Sequence, residues 1–462
     1  MAGVQPVSVH LREILKLALP VMGSNLGHVL MGVCDSVMVG HIDAVSLAAA
    51  GLATVAFNVL LLFGIGVSYA ITPLVAEASG KNDKDRIVDT LRHGLAVNFI
   101  NACFLVTVVL LGKDLLYHIN QPPEVVTKAI PYLNILMFSL IPVLIYQSFR
   151  QFAEGMSNTR IAFVIVLGCN VINIGLNWVL IYGHLGFPAY GLNGAGWATL
   201  ISRVIMAAGI GFYLYHHPHF RHYRKAYLPG LYSRRMLRKL LNLGIPSGFQ
   251  FIFEVAAFDF SLVMMGWLGT TELAAHQIVI NLATLSYMTT SGLAASATIR
   301  VAYYSGRADP QNLNRAVFTT LSMGLVLMLL FATVFIAGRE ILPTLYVHDM
   351  AVTALAMDLL LIAGLFQLSD GAQVICIAAL RGLQDVRVPS ILIFIAYWVI
   401  ALPMGYWLTF EMDWGAQGIW VGLLIGLTLT AFAMYYRLRN RIARYSKEAA
   451  RTKIDYFSTP NP

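Results

Sequence analysis

Charge is scarce in this chain. Only 12% of its 462 residues are Asp, Glu, Lys or Arg, against about 25% in an ordinary soluble domain. That shortage excludes a normal water-facing surface. Cysteine is scarce too. Cys34, Cys103, Cys169 and Cys376 all fall within or beside apolar stretches and form no CxxC pair, which argues against a disulfide framework or a thiolate metal site. There is no GxxxxGK[ST] phosphate loop, so ATP is not a visible energy source. No HExxH or GxSxG and no nucleic-acid-binding module is present. Common hydrolase chemistry and nucleic-acid partners are set aside on that ground. The chain offers no sign of a cofactor.

What it has instead is apolar length. Mean hydropathy is +0.70, and the apolar residues gather in runs near the ~20 residues that cross a ~30 Å hydrocarbon core. Twelve such runs lie at about 14–39, 47–72, 91–112, 130–150, 161–182, 195–215, 241–268, 273–298, 316–337, 352–379, 389–409 and 417–436. Residues 1–13 are short and polar with no cleavage-site pattern after them, so the first run is expected to be kept as a span. The net charge of +8 is not a partner signal. All 31 Lys and Arg except Lys113, Lys128, Arg203 and Arg339 lie in alternate connecting segments. The positive-inside rule then places both termini in the cytoplasm of a multi-pass inner (plasma) membrane protein. The basic tail is expected to be a solvated orientation signal, within reach of anionic lipid.

The longest polar stretch between runs, 216–239, bisects the chain. At an offset of 226 residues, Pro20 matches Pro246, Gly40 matches Gly266, Ala48-Ala49 match Ala274-Ala275, Gly66 matches Gly292, and Ser79-Gly80 match Ser305-Gly306. At 227, Gly155 matches Gly382 and Arg160 matches Arg387. Small residues and turn formers recur because backbone approach constrains them most. Each half holds six runs, so the repeat is parallel, with its axis along the membrane normal. The expected fold is all-α and integral to the membrane, with twelve transmembrane helices in two six-helix lobes related by pseudo-twofold symmetry. The expected boundaries are an N-lobe at 1–220, a cytoplasmic linker at 221–239, a C-lobe at 240–437 and a tail at 438–462.

Asp35, Glu254 and Asp370 stand out among the carboxylates inside these runs. A charge at mid-bilayer costs somewhere between ~3 and ~15 kcal/mol, so such a residue marks an ion, proton or substrate site by default. Glu254 and Asp370 in one cavity could not both ionise cheaply. No Lys or Arg is visible in their spans to complete an ion pair. Asp259, five residues past Glu254, falls about 140° round the helix, toward another part of the cavity or its rim. Arg203 reads as the only intramembrane arginine, placed to pair with an acid or to snorkel. His28 and His276 read as packing residues, with a proton relay through His28 as the sharper option.

Several stretches together carry a family resemblance: LPVMGSNLGHVLMGVCDSVMVG (19–40), FQFIFEVAAF (249–258), ELAAHQI (272–278) and SDGAQVICIAALRGLQDVRVP (369–389). They resemble the multidrug and toxic compound extrusion (MATE) transporters, in particular the bacterial NorM-type branch. The resemblance covers nearly the whole chain. It implies a cation-coupled antiporter, using H+ or Na+, that exports amphipathic organic cation drugs and dyes by alternating access. It also implies an N-lobe cation site at Asp35, Asn173, Asn177 and Thr199, the two asparagines sharing a helix face. Glu254 and Asp370, with Asp259 as an outlying candidate, would form a C-lobe cation or substrate site. Na+ could take either carboxylate site. One departure stands out. Some members carry a tyrosine one turn before the span 10 acid, where this chain has Phe366, and Ser369 is the nearest substitute hydroxyl. The loss of that oxygen favours protons. A monomer is expected. A lipid-linked or amphiphile flippase is the second reading, and a membrane enzyme or scaffold the third.

The resemblance further implies a hinge at Pro20, since proline removes a helix hydrogen bond. Pro20→Ala is expected to weaken efflux and change its pH dependence in a dye-extrusion assay. Unchanged efflux with an unchanged pH profile would contradict the hinge.

Overall fold

The structure, a computed structural model, describes residues 4–118, 121–228 and 230–458. Residues 459–462 of the expected tail lie outside them. Among the described residues, twelve helices are long and apolar enough to cross a bilayer. We label them α1 (Val7–Gly40), α2 (Ala44–Gly80), α3 (Lys84–His118), α4 (Pro123–Gly155), α5 (Arg160–Tyr182), α6 (Leu192–His216), α7 (Arg234–Leu268), α8 (Thr270–Gly306), α9 (Pro310–Ala337), α10 (Met350–Gly382), α11 (Arg387–Glu411) and α12 (Ala416–Ala449). No strand occurs among the described residues. Helix satisfies every backbone group internally, which an open strand in lipid cannot do.

Acidic caps start several helices. Asp43, Asp83, Asp309 and Asp349 each accept a backbone N–H from the first turn that follows. This satisfies donors the helix leaves open. Asp83 and Asp309 are repeat partners. The turns before them place Asn82 (φ 57°) and Ala308 (φ 51°) in the left-handed region. The later pair Ser157 (φ 62°) and Gln384 (φ 59°) does the same. The backbone therefore repeats even where the side chains do not.

Packing groups the chain differently from chain order. One compact unit joins the chain up to Met22 with everything from Phe249 onward, and the other is Gly23–Gly248. The division falls two residues past Pro20 in α1 and two past Pro246 in α7. Glycine explains it. A Cβ on Gly66 would lie 2.5 Å from the Gly248 Cα, so α2 can meet the first half of α7 only because Gly66 has none. Its repeat partner Gly292 plays the same part toward the first half of α1, where a Cβ would lie 2.8 Å from the Ala18 carbonyl oxygen.

Within each unit the same helix pairs meet. In Gly23–Gly248, α4 packs on α2, α3 and α6, and α5 on α6. In the other unit, α10 packs on α8, α9 and α12, and α11 on α12. One contact repeats atom for atom. Thr72 Oγ1 donates to the Gln151 carbonyl at 3.1 Å, and Thr298 Oγ1 to the Ala378 carbonyl at 2.8 Å. Beside each, a glycine admits the neighbour: a Cβ on Gly155 would meet the Thr72 carbonyl oxygen at 3.0 Å, and one on Gly382 the Thr298 carbonyl oxygen at 2.9 Å.

Two arginines expected in connecting segments are buried in helices. Arg150, in α4, donates to Glu154 at 2.7 Å and to Asn25 at 2.9 Å. Arg300, in α8, contacts His10 and the Tyr304 hydroxyl, each at 2.9 Å. Arg203 is thus not the only arginine inside the helical body. Hydropathy runs stop at the first charge, whereas the helices continue past it.

Gly382→Ala is expected to lower the melting temperature of the detergent-purified protein, because overpacking costs roughly 1–3 kcal/mol. Gly266→Ala, where a Cβ meets nothing within 4 Å, should leave it unchanged. Equal effects would show that the Gly382 contact is not a constraint.

Candidate functional site

The four residues of the expected N-lobe site, Asp35 among them, are brought together in the Gly23–Gly248 unit. Asp35 Oδ1 accepts from Asn177 Nδ2 at 2.6 Å, and Oδ2 accepts from Thr199 Oγ1 at 3.3 Å. Asn177 Nδ2 also donates to Asn173 Oδ1 at 3.2 Å, across the one-turn spacing of α5. Both asparagines are fully buried. Asn170, one turn earlier on α5, donates to the Gly27 carbonyl at 2.8 Å. It ties α5 to α1 and is a packing contact. Asn173 is also near enough to interact with the Asp35 carboxylate, and Asn177 Oδ1 has no protein partner among the described residues. A buried amide atom in that position calls for water or an ion.

No cation pairs directly with Asp35 among the described residues. Arg203 is within electrostatic range of it. Its guanidinium, however, stacks over Phe57 at 4.6 Å and donates to the Ser139 hydroxyl at 2.5 Å. It makes no direct ion pair with an acid among the described residues. His28 is half-buried on α1, edge-on to Tyr146 with ring centroids 6.2 Å apart, and its Nε2 has no partner among the described residues. His276 is buried against Trp420 at 5.5 Å.

The second cluster lies in the other unit. Glu254 and Asp370 are buried and within electrostatic range of each other. Glu254 is held by Gln373, one turn beyond Asp370 on α10. Its Nε2 donates to Glu254 Oε1 at 2.8 Å, and its amide pairs with the Tyr397 hydroxyl at 3.2 Å. Gln373 and Tyr397 are fully buried. Sequence reasoning missed both. Gln373 had a usable signal, lying three residues past Asp370 on the same face. Tyr397 had none. It belongs to the π-helical turns Ile395–Ala401 of α11, ahead of Pro403, and such turns shift the helical register. Trp398, beside it, donates to the Phe253 carbonyl at 2.9 Å and ties that segment to α7.

Several expectations for this cluster need correction. A cation does reach it: Arg381, at the end of α10, is within electrostatic range of Glu254, with its guanidinium 5.8 Å from the Phe251 ring centre. A hydroxyl is present too, from Tyr397 rather than position 366. Phe366 stacks on Trp420 at 5.6 Å. Ser369 is engaged with Thr428 at 2.9 Å and is no substitute. Asp259 is exposed where Glu254 is buried, as its offset of about 140° round α7 leads one to expect. The four cysteines are free. No group of three His, Cys, Asp or Glu able to hold a metal ion occurs among the described residues. A bound Na+ would have to use amide and hydroxyl oxygens beside a carboxylate.

Comparison with known proteins fits this arrangement. The family model MatE matches residues 20–179 and again 246–407. The two matches begin at Pro20 and Pro246, the positions the internal repeat pairs. The chain belongs to the MatE family. A probable multidrug resistance protein NorM of Brucella suis is 33% identical over 451 residues, covering 94% of each chain. The multidrug resistance protein NorM of Vibrio cholerae is 32% identical over 432 residues, covering 92% of this chain and 94% of its own. Among solved structures, a MATE crystal structure in the bent conformation superposes with a TM-score of 0.87 at 20% identity, over 97% of this chain and all of that one. The eukaryotic MATE transporter AtDTX14 gives 0.85 at 18%, over 96% and 99%. As a MatE member the chain is a multi-pass membrane transporter and not an enzyme.

Gln373→Leu is expected to destabilise the protein by about 0.6–1.7 kcal/mol, the range for side-chain hydrogen bonds between membrane helices. Adding Glu254→Leu should recover part of that loss, as thermal melting in detergent would show. Full additivity of the two substitutions would mean that the bond contributes nothing.

Proposed function

We propose that this MatE transporter expels amphipathic organic cations in exchange for protons, with Asp35 as the coupling carboxylate. The observation that carries this is the set of neutral donors around Asp35. An amide and a hydroxyl hold the two carboxylate oxygens, with no ion pair. A carboxylate removed from water without a counter-charge gains by taking up a cation or a proton. The Asn177 amide favours the proton. Its N–H group already occupies Asp35 Oδ1 and Asn173 Oδ1, so it presents a donor where Na+ would need oxygens.

Glu254 and Asp370 supply a second acidic cluster, suited to a cationic substrate or a further ion. The NorM names of the relatives support export of drugs. The alternating basic segments support a plasma-membrane protein with both termini in the cytoplasm. Antiport follows if protonation of Asp35 and occupation by drug exclude one another during alternating access.

Asp35→Asn keeps the shape and removes the titrating group. Cells expressing it are expected to lose ethidium extrusion, while fluorescence-detected chromatography shows wild-type insertion. Normal extrusion by that variant would overturn the proposal.

A further inference from the structure

An open groove of about 690 Å³ runs between the start of α9 and the end of α12. Both helices belong to one unit. The groove is far from random in its lining. Gln311 and Asn314 come from the first turns of α9, and Arg439 and Ser446 from the part of α12 that runs out beyond its apolar span. Phe318 and Tyr435 line the other end, one to two turns deeper along each helix. The groove is therefore polar at one end and aromatic at the other.

Charge is graded in the same sense. Three arginines occupy one stretch of α12. Arg437 and Arg441 both reach Asp385, at 2.9 and 2.8 Å. Arg439 lies about 200° round the helix from Arg437 and faces the groove. It is exposed and makes no ion pair among the described residues. No acidic residue lines the groove. Asp309, just before α9, turns its carboxylate to the Asn312 backbone and side chain instead. The positive end of the α9 dipole adds to the field of Arg439.

Past the aromatic end, the same faces stay apolar and exposed. Phe432, seven residues before Arg439 and so on nearly the same stripe, is 70% exposed, and Val326, eight after Phe318, is 68% exposed. A soluble anion has no use for such a floor. A lipid does: its phosphate meets the cation and its chain follows the apolar stripe.

We propose that this groove binds one anionic phospholipid of the adjoining leaflet. Arg439 holds the phosphate, Gln311 and Asn314 supply hydrogen bonds to the headgroup, and Phe318 and Tyr435 pack on the acyl chain. Basic pockets between transmembrane helices recognise headgroups by this chemistry. The proposal rests on the chain crossing a bilayer. It does not depend on the coupling ion or on Asp35, so its failure would leave the transport reading untouched.

The test is thermal melting of the full-length, detergent-purified protein with added lipid. Dioleoyl phosphatidylglycerol is expected to raise the melting temperature more than dioleoyl phosphatidylcholine does. Arg439→Gln should remove at least half of that difference. Arg444→Gln, an exposed arginine of α12 outside the groove, should retain it. Native mass spectrometry should show one fewer retained phosphatidylglycerol on Arg439→Gln. Three results would overturn the proposal: an unchanged shift in Arg439→Gln, an equal loss in Arg444→Gln, or the same shift with inorganic phosphate alone. The second would mean diffuse attraction by the basic helix, and the third a soluble-anion site.

Discussion

A carboxylate cannot leave water uncompensated, and the Asp35 site is built around that constraint. The protein meets it with neutral groups rather than a salt bridge. Asn177 and Thr199 hold the two oxygens, and Asn173 holds Asn177. Hydrogen bonds of this kind support the group in place yet leave its charge unmatched. A direct Arg partner would have fixed the ionised form. Arg203 is near enough to be felt but is committed to Phe57 and Ser139. The site thus differs from a direct ion pair such as Arg150–Glu154, whose charged atoms meet at 2.7 Å.

The repeat supplies the frame for this and nothing of the chemistry. Thr72 and Thr298 make the same carbonyl bond, and Gly155 and Gly382 make the same close approach. The three intramembrane acids do not repeat. At the 226-residue offset Asp35 faces Ser261 and Glu254 faces His28, and at 227 Asp370 faces Val143. One scaffold thus carries two unlike clusters. One is a carboxylate among amides. The other is a pair of carboxylates of which Glu254 is bonded to Gln373 and through it to Tyr397, with Asp370 and Arg381 in electrostatic range.

Much of this was legible in the sequence, for identifiable reasons. The twelve helices follow from apolar length. The N-lobe cluster follows from family resemblance and from the four-residue spacing of Asn173 and Asn177. What was not legible depends on contacts between distant segments. Tyr397 reaches Gln373 from a π-helical stretch whose register cannot be counted from an ideal helix. Arg150 and Arg300 lie in helices that outrun their hydropathy. The grouping of the first part of α1 with Phe249 onward depends on Gly292 approaching Ala18, and chain order says nothing of it. The exposure of Asp259 agrees with the helical angle, which places it away from the Glu254 face of α7.

The most direct test of the account is dye efflux from proteoliposomes holding the purified chain, driven by one imposed gradient at a time. A pH gradient without Na+ should drive ethidium transport in the wild type, and a Na+ gradient at uniform pH should not. Transport driven by Na+ alone, or by neither gradient, would contradict proton coupling at Asp35.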